Sequence, residues 1–159
     1  FSIGATNLWS FDVLREAGYA YSSSVNPIHH DFYGMPDAPR FAFLPDGESG
    51  IEEYPITTLR VGNKNLPCGG GGFFRLLPYA VSRWAMRRVN RQDGQPCIFY
   101  FHPWEVDPGQ PRIPDISAKT RFRHYLNLDR METRLRALTR DFAWDRMDRV
   151  FGKGVTELQ

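Results

Sequence analysis

Cys97-Ile-Phe-Tyr-Phe101, followed at once by His102-Pro103-Trp104-Glu105, is the stretch on which the fold turns. A nearly continuous apolar run of this length fits a strand buried on both faces, as in a parallel sheet. Pro103 has no N–H to continue a ladder, so the strand ends at His102. In α/β folds the C-terminal ends of parallel strands line the active site. That places His102 where an imidazole, with its ordinary pKa of about 6.5, can give or take a proton near neutrality. Glu105, three residues on, can orient that ring or touch substrate. The plainer alternative is a histidine that hydrogen-bonds locally while Trp104 packs on the rim of the sheet. The spacing leaves both open.

Working outward, the four glycines at 69–72 form a turn into Phe73-Phe74-Arg75, and Leu77, Ala80, Val81, Trp84, Ala85 and Val89 mark a helix ending near Asp93-Gly94. Further upstream, Glu52 to Val61 reads as a strand, with Pro55 suited to an edge or a strand start. Near the start, Thr6 is a candidate N-cap, and Trp9, Val13 and Ala17 recur along one helical face. Gly18 stops that helix, and Tyr19 to Val25 is a short strand. Between these elements, residues 26–50 carry Pro27, Pro36, Pro39, Pro45, Gly34, Gly47 and Gly50, a long irregular excursion. Excursions longer than about 12–15 residues are usually functional or disordered, and Phe32, Tyr33, Phe41 and Phe43 favour a packed loop. Downstream of a Pro-rich connector, Ser117 can cap a long final helix, in which Leu128, Met131, Leu135 and Leu138 form one apolar stripe. Alternation of helix and strand predicts an α/β fold.

Composition narrows the classes. The 159 residues, 42% hydrophobic and 14% aromatic, can build a core and do not suit a disordered chain. A net charge of +2 gives no bulk positive field for nucleic acid. No run of about 18 apolar residues offers a membrane span. Cys68 and Cys97 are too few for a disulfide scaffold, and read as two reduced thiols of a cytoplasmic protein. The chain opens at Phe1 without Met or signal-peptide pattern, which predicts a piece of something longer.

Other polar groups carry less. His29-His30-Asp31 has metal-ligating side chains, but adjacent histidines do not readily chelate one ion and no helically spaced partner follows. A sugar-contacting role stays open for them. His124, among Arg121, Arg123 and Tyr125, reads as a residue on a solvated helix face. The glycine run lacks the Lys-Ser/Thr of a phosphate loop, and Ser22-Ser-Ser24 lacks a nucleophile elbow. Between Arg112 and Lys153 eleven basic residues face six acidic ones, a composition that suits either a solvated face with intrahelical ion pairs or contact with an anionic surface.

Four blocks in order, Tyr21–Gly34, Leu66–Tyr79, Phe99–Pro108 and Arg121–Leu128, resemble the C-terminal half of polysaccharide deacetylases of the NodB-homology type. The nearest branch is that found with exosortase and exopolysaccharide gene clusters. The resemblance implies the C-terminal part of a distorted (β/α) barrel with a long Pro-rich insertion at 26–50 and a C-terminal helical extension. Residues 1–110 would be barrel and 111–159 the extension packed on it. It further implies metal-dependent hydrolysis of N-acetyl groups on a polysaccharide in exopolysaccharide biosynthesis.

Residue by residue, the late-strand catalytic histidine of the family matches His102, and Trp104 matches the apolar wall behind the acetyl group. Glu105, His30 and Asp31 are candidates for shaping the substrate groove. The family's divalent metal, usually zinc, is held by an Asp-Asp and a His-x-x-x-His motif that the chain lacks. Those ligands are expected upstream of Phe1, so the 159 residues alone should bind no metal tightly and catalyse nothing. Where the relatives have Tyr-Asp-Ser-Ser, this chain has Tyr21-Ser22-Ser23-Ser24. That departure motivates the alternative of a non-catalytic glycan-binding or assembly protein on a degenerate scaffold. The expected partner is an N-acetylated polysaccharide, with no nucleic acid and no transmembrane segment.

Overall fold

A computed structural model of the chain describes residues 2–30, 33–45 and 50–152. The first helix, α1, spans Ser10–Glu16 and is followed by Gly18 at φ 82°, a left-handed conformation that only glycine adopts without steric cost. Thr6 is not its cap; the N-cap is Trp9. The expected apolar face is also reversed: Trp9 and Val13 are 64% and 51% exposed. Phe11 instead turns inward, joining Ile3, Val25 and Ile51 in a buried cluster that Leu14, Met35 and Phe43 flank.

Two short strands, β1 (Tyr21–Ser22) and β2 (Glu52–Glu53), pair in parallel. The segment expected as one strand from Glu52 to Val61 is two, because Pro55 interrupts it. Its second part, β3 (Thr58–Val61), forms an antiparallel hairpin with β4 (Lys64–Pro67). Glu53 is fully buried, and its Oε1 accepts the N–H groups of Ser24 and Val25 at 2.8 and 2.7 Å. Those bonds pin the exit of β1. Arg40 anchors the excursion, donating to Asp93 Oδ2 and to the Thr58 carbonyl, both at 2.8 Å.

The glycine turn opens α2 (Gly71–Leu76), and α3 (Tyr79–Arg88) continues into a π-helical turn at Val89–Asp93. The run 97–101 is extended but is not a strand buried on both faces. Its one bridge is the parallel pair Gly70–Tyr100; Phe101 is exposed and the residues before it are half-buried. The run still reaches the centre of the domain, since Ile98 N–H donates to Thr57 Oγ1 at 2.6 Å and Tyr100 N–H to the Gly69 carbonyl at 2.9 Å.

A 3₁₀ turn at Pro103–Val106 follows. Ser117 does cap a helix, its Oγ accepting Thr120 N–H at 3.1 Å, but that helix is only α4 (Ala118–Tyr125). Asn127, at φ 50°, breaks the chain before α5 (Leu128–Asp141), so the expected long helix is two. On α5, Leu128, Met131 and Leu138 are buried and Leu135 partly so; Met131 and Leu138 pack with Phe74 and Met86. A short helix, α6, spans Met147–Val150.

The fold is therefore mixed α/β. Its described strands form two separate two-stranded sheets and no closed barrel. Among the described residues no helix is long and apolar enough to cross a membrane. Both cysteines are unbridged, and burial holds their thiols protonated, pushing Cys68 up to about 12 and Cys97 to about 11.

Candidate functional site

The glycine turn, the extended run and the junction of α4 with α5 meet around Glu105. This carboxylate is 2% exposed and bonded through both oxygens. Oε2 accepts from Arg75 Nε at 2.8 Å, and Arg75 is equally buried. Oε1 accepts the His102 backbone N–H at 3.1 Å and lies 3.1 Å from His102 Nδ1. The backbone bond is half of a capping box for the 3₁₀ turn, which explains why a glutamate three residues after the histidine folds back onto it.

Arg75 is held in turn. Its Nη1 donates to the carbonyls of His124 and Leu126 at 3.0 and 2.8 Å, and Nη2 to that of Arg123 at 3.1 Å. The guanidinium thus occupies the C-terminal end of α4, where carbonyls lack helical partners and a cation is favoured. Arg134 does the same for α2, donating to the carbonyls of Phe74, Arg75 and Leu77. Arg75, and Arg134 from the basic C-terminal region, are therefore helix caps. Others form the intrahelical pairs expected of a solvated face, such as Arg136 with Glu132 at 2.7 Å.

The glycines exist to let this happen. A Cβ on Gly71 would strike the Glu105 carboxylate, and one on Gly70 would sit 3.1 Å from the Tyr100 ring. The run is a packing floor beneath the site and the start of a helix, with no positive φ in it.

The His102 ring is 56% exposed, with Nδ1 turned to Glu105. Its ring lies nearly parallel to Trp104, 5.8 Å centroid to centroid. Trp104 is also stacked on His124 at 4.3 Å, and the Arg75 guanidinium lies over its ring at 5.1 Å. His124 is thus no solvated-face residue: its Nε2 contacts Gln110 Oε1 at 2.8 Å, and Gln110 Nε2 donates to the Trp104 carbonyl at 2.9 Å. The physical reason is its place in the last turn of α4, where the rim of Trp104 comes within reach.

A second cluster adjoins the first. His30 stacks on Tyr33 at 3.8 Å. Tyr33 lies beside Tyr100, and the Tyr100 hydroxyl is raised well above the usual range, first by burial, then by Tyr33 and by the charge of Glu105. Tyr100 meets the His102 ring edge-on at 5.8 Å. So His102, Trp104 and Glu105 converge, and His30 stacks on Tyr33, beside Tyr100. Asp31 lies outside the described residues. Ser22 is buried in β1 and donates to Ser24 Oγ at 2.9 Å.

Sequence reasoning missed Arg75, Gln110, Tyr100 and the role of His124. Arg75 left one readable trace, an arginine set in the apolar run after four glycines. Among the described residues no three His, Cys, Asp or Glu side chains come together as a metal site. With both Glu105 oxygens already bonded, the described residues do not fit a divalent metal.

Fold and site together define a small α/β domain built around a histidine that stands on a buried arginine–glutamate pair. The chain belongs to the family described as a domain of unknown function (DUF3473), which matches residues 23–152. Neither curated proteins nor solved structures show a match to it.

Proposed function

We propose that this chain is the C-terminal part of a barrel-type carbohydrate N-deacetylase acting on an N-acetylated polysaccharide, with His102 as its proton donor. One observation carries the reading: a half-exposed imidazole with Nδ1 on a fully buried carboxylate. Glu105 fixes the ring orientation, and with Nδ1–H given to Oε1 the exposed Nε2 is the atom that hands a proton to the departing amine. Arg75 keeps Glu105 in place, so it and Glu105 are positioning residues. Trp104, near-parallel to His102 and stacked on His124, offers an apolar wall next to the imidazole. The resemblance of the four sequence blocks supports the substrate class.

The test is acetate release from an N-acetylated polysaccharide by the protein that carries the upstream Asp-Asp and His-x-x-x-His motifs. His102→Ala should lower turnover by about 10²–10⁴-fold, the usual contribution of general acid–base catalysis. Near-normal turnover would remove His102 from the reaction. Ser22 favours a second reading, a non-catalytic glycan-binding protein, because its hydroxyl is spent on Ser24 where the relatives place an acid. On that reading no acetate is released, and glycan binding survives His102→Ala.

A further inference from the structure

One side of α3 is spent on the core: Ala85 packs with Leu59 and Cys68, and Met86 with Phe74 and Met131. The opposite side faces out. Val81, Trp84 and Arg88, spaced by three and four residues along one helical face, are all exposed, and about half of the Trp84 surface is accessible (51%). Ala80, also exposed, stands one turn before Trp84, and Arg91 is exposed on the π-helical turn that follows. The Arg88 guanidinium lies over the Trp84 ring at 5.5 Å, and its Nε donates to Gln92 Oε1 at 2.7 Å. The face thus grades from apolar at Ala80, Val81 and Trp84 to cationic at Arg88 and Arg91.

The acidic groups of this region are engaged elsewhere. Asp93, the one acid from Tyr79 to Gly94, takes Arg40 at 2.8 Å. Asp141 of α5 accepts from the Tyr79 hydroxyl at 2.6 Å and from Arg83 at 3.3 Å, on the packed side of the helix. Arg87 lies over the Phe142 ring at 5.9 Å. Among the described residues no carboxylate pairs with Arg88 or Arg91. A cation in the last turn of a helix compensates the macrodipole. That accounts for Arg88, but not for an indole and a valine left in water beside it.

An anionic lipid surface accounts for both halves of the face. Indole rings settle at the headgroup level, aliphatic side chains reach the acyl boundary, and arginine stems lie along apolar surface with their charge at the phosphates. A wholly polar polyanion would use the arginines and leave Ala80 and Val81 without a role. We propose that this face of α3 docks the protein, as a peripheral contact, on an anionic membrane surface. The inference goes beyond the deacetylase reading and is independent of turnover.

The experiment is sedimentation of the chain with vesicles of phosphatidylglycerol and phosphatidylcholine in equal parts, against vesicles of phosphatidylcholine alone. Binding to the anionic vesicles should be at least about ten-fold tighter and should weaken as salt is raised. Each arginine near such a surface contributes about five-fold to partitioning, so Arg88→Gln with Arg91→Gln should lower binding by about ten- to thirty-fold. Trp84→Ala should lower it by at least about three-fold through lost insertion, with charge unchanged. Arg121→Gln with Arg130→Gln removes the same charge from α4 and α5 and should leave binding within about two-fold. Thermal melting checks that every variant is folded. No binding, equal binding to both vesicles, a loss in the α4 and α5 pair as large as in the α3 pair, or full binding by folded Trp84→Ala would each overturn the docking face. So would polygalacturonate bound as tightly as the anionic vesicles and unaffected by Trp84→Ala, which would assign the arginines to an acidic polymer. Acetate release is read separately, so the failure of either reading leaves the other standing.

Discussion

His102 and His30 are both half-buried or half-exposed imidazoles set against aromatic rings, yet they stand on different foundations. Under His102 lie two buried, opposite charges, Arg75 and Glu105, further bonded to carbonyls at the end of α4 and to the backbone N–H of His102 itself. The His30 ring is stacked on that of Tyr33. Charged, directional bonding fixes one ring atom in space, which is what proton transfer requires. Stacking fixes a plane and tolerates sliding, which suits the recognition of a sugar face. The difference is in keeping with the proposed division, proton transfer at His102 and contact with substrate at His30.

The strongest way to break that contrast is Glu105→Ala. Truncation leaves Arg75 charged, buried and without its carboxylate, and breaking one side of a buried pair costs about 3–5 kcal/mol. Denaturant unfolding should show a loss of that size, because the carbonyls of α4 compensate only part of the charge. A loss below about 1 kcal/mol would mean that the pair is no foundation, and the two histidines would then be equivalent.

Gly71→Ala comes next. Its Cβ would press on the Glu105 carboxylate from below, and overpacking of this kind costs about 1–3 kcal/mol. Because the carboxylate must move, the His102 ring signals should shift as well, while those of His30 stay in place. Coincident shifts of both rings would show that Tyr100 couples the clusters more tightly than their contacts suggest.

How much of this was legible from the chain follows from where each partner lies. The stripe on α5 was readable because its period and its burial agree: Leu128, Met131 and Leu138 are all inside. An equally regular set on α1 misled, since Trp9 and Val13 face out and Phe11 faces in. Periodicity identifies a helix, but the buried side is chosen by what packs on it, here Ile3, Val25 and Ile51 from distant segments. The same holds at the site. His102 and Glu105 are three residues apart, within reach of local reasoning. Arg75 joins them across 30 positions and Tyr33 joins Tyr100 across a greater separation, so neither was visible before the fold brought them together. The apolar run at 97–101 suggested complete burial, yet its residues are half-buried or exposed; apolar composition reports what a segment can cover, not what covers it.

His30→Ala is the smallest and most discriminating change. Stacked aromatic pairs contribute about 0.5–1.5 kcal/mol beyond their buried area, and the His30 ring is stacked on Tyr33 at 3.8 Å. Thermal or denaturant unfolding should therefore show a loss in that range, several-fold below Glu105→Ala. The more telling readout is the site itself. With the stack gone, Tyr33 gains freedom beside Tyr100. The Tyr33 and Tyr100 ring signals should shift, while the Nδ1 contact of His102 with Glu105, whose other oxygen is held by Arg75, stays as it is. If instead His30→Ala disturbs the His102 ring as much as Gly71→Ala does, the separation of a rigid chemical cluster from an adaptable binding one is wrong, and both histidines belong to a single aromatic unit running from Tyr33 through Tyr100 to Trp104.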